Sequence, residues 1–66
     1  MKGFIDRLEN EYNELFEKII KLKNFIDSEA FNNIAGIQQD YLTLQLNAME
    51  QYRVILSFRL NHLKGK

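Results

Sequence analysis

With 66 residues the chain has room for one domain and a modest core; a monomer of that length buries only about 60% of the surface its unfolded form exposes. Cysteine and proline are both absent, so neither a disulfide nor a thiolate metal site can supplement the core, and self-association is the remaining route to burial. Nine basic residues balance nine acidic ones, which argues against a diffuse positive field for gripping nucleic acid. Apolar runs such as Phe4-Ile5 and Ile19-Ile20 are far too short for a membrane span or the apolar region of a signal peptide. The expectation is a cytoplasmic protein.

Ile5, Leu8, Tyr12, Leu15, Ile19, Leu22 and Ile26 are separated alternately by three and four positions, the seam of a helix that packs lengthwise on another. This predicts a first helix over about residues 2–27. Asp6 and Glu9 near its start and Lys18, Lys21 and Lys23 near its end complement the helix dipole. Glu14 with Lys18 and Glu17 with Lys21 add pairs at the favourable spacing. Phe4, Phe16, Ile20 and Phe25 fall beside the seam, so the apolar face is wider than one partner helix needs.

The period breaks between Ser28 and Gly36, where Asn32-Asn33 and Gly36 mark a connection with room for a short helical turn around Phe31. Phe31 and Ile34 are placed to plug the end of a hairpin. A second helix follows over about residues 37–63, with Leu42, Leu46, Met49, Leu56, Leu60 and Leu63 on one side. Tyr41, Leu44, Ala48, Tyr52 and Ile55 extend that stripe around the cylinder, and little charge interrupts it before Arg53 and Arg59. Such a helix touches neighbours on more than one side. Lys64-Gly65-Lys66 closes the chain as a polar end, with Gly65 a terminator and the lysines near the dipole's negative end.

The expected fold is therefore all-α: one domain over residues 1–66, an antiparallel two-helix hairpin assembled as a coiled-coil-like four-helix bundle or a larger homo-oligomer. The apolar residues beyond the seam, Phe4, Phe16, Phe25, Leu44 and Ile55, are the expected oligomer interface.

Catalysis finds no foothold in this sequence. His62 is the only histidine and lies in the last helical turn, the acidic residues of the first helix follow a charged face with lysines nearby, and the three glycines form no phosphate loop. Metal-ligand spacings of His or Cys are missing, so neither a metal nor a cofactor is expected. Tyr12, Tyr41 and Tyr52 fall on or beside apolar stripes, where core or interface packing is the plain reading. The same rings could stack a base if subunits left a cleft, with Lys21, Lys23, Arg53 and Arg59 meeting phosphate at its border.

The run Glu17-Lys18-Ile19-Ile20-Lys21-Leu22-Lys23-Asn24-Phe25-Ile26-Asp27-Ser28-Glu29, followed by Phe31, Leu42, Gln45-Leu46, Ala48-Met49 and Tyr52, resembles short helical proteins of tailed phages and prophages. The resemblance covers most of the chain, although Ala35 stands where such proteins carry a polar capping residue. It implies expression in a bacterial host's cytoplasm, no enzymatic activity, and a protein-interaction or adaptor role, with a host protein as a partner besides the chain itself. The alternative it suggests is an oligomeric anti-defence sponge that sequesters a cyclic nucleotide signal.

Overall fold

Two long amphipathic stretches separated by a short polar one give a computed structural model with three helices, α1 (Lys2–Ile26), α2 (Glu29–Asn32) and α3 (Gly36–Lys64). The structure describes residues 2–65, so Lys66 of the polar end lies outside it. α1 and α3 run antiparallel, with Glu9 paired to Lys64 at one end and Lys23 paired to Glu50 farther along. The molecule is a rod of 47 × 14 × 14 Å.

Packing follows the predicted seams. Leu8, Leu56 and Leu60 form the buried cluster, Ile5, Tyr12, Leu15 and Leu63 pack against it, and Ile19 is buried farther along α1. Among the described residues Leu56 alone is wholly sequestered, at 0% exposure. Two cylinders in contact shield only the side chains on the line between them, so the remaining seam residues stay half-buried.

The chain leaves α1 because Ser28 adopts extended backbone (φ −91°, ψ 164°), while its N–H and its hydroxyl both donate to the Phe25 carbonyl, at 3.0 and 2.6 Å. One helical turn then brings Phe31 edge-on to Phe25, with ring centroids 6.0 Å apart. Ala35 offers α3 no side-chain cap. Gln39, one turn into α3, closes the connection instead: its Nε2 donates to the carbonyl of Phe31 (2.9 Å), which also accepts from the Ile34 N–H (3.4 Å), and to that of Ile34 (3.2 Å).

Phe25 is half-buried against Phe31 at the hairpin's closed end, and Phe4, Phe16, Leu44 and Ile55 are exposed. One expectation needs correction. Glu14–Lys18 and Glu17–Lys21 do not form ion pairs; the cations that pair among the described residues, Lys23, Arg53 and Lys64, meet Glu50 and Glu9. Exposed partners four apart on one helix gain only a few tenths of a kcal/mol from pairing, too little to hold two long side chains in place.

Truncating Leu56 to Ala should cost about 2 to 5 kcal/mol, the range for deleting a buried leucine, while Lys18→Ala on the exposed face of α1 should change stability by less than about 0.5 kcal/mol. Urea unfolding followed by circular dichroism measures both; equal midpoints would contradict the assigned core.

Candidate functional site

A hairpin has two edges where α1 and α3 meet, and here they carry different chemistry. Along one edge, Arg53 occupies a seam position of α3 between Met49 and Leu56, and its guanidinium emerges from the seam with the side chain 30% exposed. It lies 5.9 Å from the Phe16 ring centroid, its Nη1 donates to the Tyr12 hydroxyl at 3.3 Å, and its Nη2 sits 3.4 Å from the Glu50 carboxylate. Lys23 reaches the same carboxylate across the hairpin at 2.9 Å. Glu50 is thus held between two cations. Its carboxyl lies below its ordinary value chiefly through the Lys23 hydrogen bond, helped by Arg53 and opposed by partial desolvation.

Farther along this edge a cleft of about 430 Å³ opens between the helices. Tyr12 and Leu60 form its apolar wall, Asn13, Ser57 and Asn61 offer amide and hydroxyl groups, and the Lys64–Glu9 pair closes one end. This volume falls within the range of small-ligand sites, and the lining combines an aromatic platform with hydrogen-bonding groups of both senses.

On the opposite edge the Tyr52 hydroxyl donates to Glu11. The acceptor carboxylate raises the Tyr52 hydroxyl's pKa above its usual range, so the ring is held neutral. Arg59 lines a second cleft of about 370 Å³ with Phe4, Phe58, His62 and Leu63.

The seven residues singled out as ligand contacts therefore do not form one site within the chain. Tyr12, Lys23 and Arg53 share the first edge, and of these Tyr12 lines the cleft. Tyr52 belongs to the opposite edge, Arg59 to the second cleft, Tyr41 to the exposed back of α3, and Lys21 to an exposed position of α1. The sequence reading missed Asn13, Ser57, Asn61 and Lys64. Their signal was uncharged polar residues one helical turn apart beside a leucine seam, Ser57 with Asn61 on α3 and Asn13 one turn after Glu9 on α1. Among the described residues no three His, Cys, Asp or Glu side chains are grouped to hold a metal ion.

A carboxyl whose folded pKa is lowered contributes stability above its unfolded value and loses it as pH falls through the folded one. The Glu50 cross-link should therefore contribute fully above the ordinary glutamate value of 4.5 and be lost only as pH falls through its lowered folded value. The midpoint of thermal unfolding should consequently drop less on acidification in Glu50→Gln than in the parent chain; parallel curves would remove Glu50 from the forces that hold the edge.

The comparisons with known proteins place this architecture. The family described as Sequestin matches residues 2–62. An uncharacterised 7.5 kDa protein from the denB–rIIB intergenic region of enterobacteria phage T4 is 30% identical over 64 residues, spanning 97% of this chain and 100% of the relative. No solved structure matches significantly. The chain is a short, helical, phage-associated protein, and it belongs to the Sequestin family.

Proposed function

We propose that the protein is a non-catalytic sponge that, as a homo-oligomer in the host cytoplasm, binds a small nucleotide signal and withholds it. The observation that carries this reading is the cleft at the α1–α3 edge, with an aromatic ring, two amides, a hydroxyl and an ammonium group around a ligand-sized space. Tyr12 supplies a face for a base, Asn13 and Asn61 offer donors and acceptors for a base edge or ribose hydroxyl, and Lys64 exchanges Glu9 for a phosphate. The family description, Sequestin, points in the same direction.

Withholding a ligand needs affinity without turnover. The cleft's one carboxylate, Glu9, is already paired with its one ammonium group, Lys64, and no His lines the space. That lining suits binding better than proton transfer.

The protein-adaptor reading rests on the exposed apolar residues, and self-association makes use of the same residues. It becomes the better account if no nucleotide binds.

Isothermal titration against mononucleotides and cyclic di- and trinucleotides, followed by recovery of the ligand, tests the proposal. Binding with intact ligand is expected, whereas a null across the panel or a converted ligand would overturn it. Asn61→Ala should weaken binding by about threefold to tenfold, as for loss of one hydrogen bond. Lys64→Ala should weaken it and also reduce its salt dependence. Both side chains are exposed, so helix content should not change.

A further inference from the structure

The apolar residues on the back of α3 form a second seam. Ile37, Tyr41, Leu44, Ala48, Ile55 and Phe58, with Gln51 and His62 completing the series, alternate by four and three positions without interruption. The seam facing α1 has the same alternation, through Leu42, Leu46, Met49, Arg53, Leu56, Leu60 and Leu63, but lies about 150° around the helix. No described residue of the hairpin covers the back seam: Leu44 is 63% exposed and Phe58 66%.

We infer that this back seam is the site of a second copy of the chain, whose own α3 packs on it antiparallel about a two-fold axis between residues 49 and 50. Its period is that of a helical partner, because a strand or a compact ligand gives no reason for apolar residues at 3.5-residue intervals from Ile37 to Phe58, broken only at Gln51. The strip is about 38 Å long, and two such strips with interdigitating side chains bury on the order of 1,000 Å², the lower bound for a specific interface. The hairpin's own core of four buried side chains leaves it in need of that burial.

Composition sets the direction. The antiparallel register places Tyr41 against the partner's Phe58, Leu44 against the partner's Ile55 and Ala48 against the partner's Gln51. Each layer is then filled, and the small Ala48 meets a long flexible side chain. A parallel pair would stack Ala48 on Ala48, leaving a void. The second cleft gives an independent indication. It sits where the seam ends, between Phe4, Phe58 and His62, and the antiparallel partner delivers Ile37 and Tyr41 to that end of the seam.

This inference rests on the self-association in the proposed function and not on its ligand. Because the chain has no cysteine, single Leu44→Cys and Ile55→Cys variants can be mixed under reducing conditions and then oxidised, alongside sedimentation equilibrium of the parent chain without nucleotide. The expected mass is that of a dimer of the 7.9 kDa chain. The 44–55 disulfide should exceed both symmetric disulfides by about tenfold, since the antiparallel register sets the two Leu44 positions about 16 Å apart along the axis, beyond disulfide reach. A monomer at about 50 μM would overturn the inference, and a nucleotide-binding monomer would leave the ligand reading standing without it. A dimer with predominant 44–44 links would refute the antiparallel register, and a dimer that forms none of these links would refute the back seam as its interface. A dimer with the 44–55 link and no nucleotide binding would uphold the interface and remove the sponge.

Discussion

Everything in this structure depends on the contact of two helices along a single line. Leu8, Ile19, Leu56 and Leu60 are the side chains that contact buries, and the rest of the seam is only half-shielded because a second cylinder covers a narrow strip of the first. In larger domains further elements cover the flanks. Here the flanks and the back of each helix must be polar or find a partner outside the chain, and the sequence does each in a different place.

The edges take the polar course. A leucine seam that repeats every seven residues tolerates a slip of one heptad, which would change few of its apolar contacts. The flanking groups do not tolerate it. Arg53 within the seam needs the Tyr12 hydroxyl and the Glu50 carboxylate beside it, Lys23 needs Glu50, Lys64 needs Glu9, and Tyr52 needs Glu11 across the other edge. Each exposed pair adds little to stability alone. Together they favour one register, and that register sets Tyr12 opposite Asn61 and Ser57 to shape the cleft.

The architecture was legible because period is a strong signal: the alternation through Ile5–Ile26 and through Leu42–Leu63 dictates two helices with facing seams, and Ser28 to Gly36 offers nothing to continue either. The cleft was not legible in the same way. Attention to aromatic and cationic residues selected seven positions, but a side chain's presence in a site depends on its angle about the helix and on which residue lies level with it across the hairpin. Arg53 looked like a free cation at the border of a stripe and instead sits within the seam, already bonded to Tyr12 and Glu50. Lys64 looked like a helix-end charge, yet the antiparallel register brings it to Glu9 near the start of α1. Likewise the role of Gln39 in closing the connection becomes visible only once the Phe31 and Ile34 carbonyls are turned towards it.

Ligand capture and folding are linked in a chain this small. The cleft's walls come from both α1 and α3, so it exists only while the hairpin is closed, and any ligand bound there stabilises the closed state by mass action. At a hundred times the dissociation constant that contribution is about 2.7 kcal/mol, a sizeable fraction of the stability a domain of this length can expect. The dimer proposed above would add a second linkage, since pairing of α3 with α3 would hold the helix whose edge carries Ser57, Asn61 and Lys64. A protein that acts by holding its ligand, with no turnover to amplify its effect, must be present in proportion to that ligand. Under the two proposals, one face of α3 completes the cleft and the other joins copies, so that a 66-residue chain would place two such clefts in each dimer.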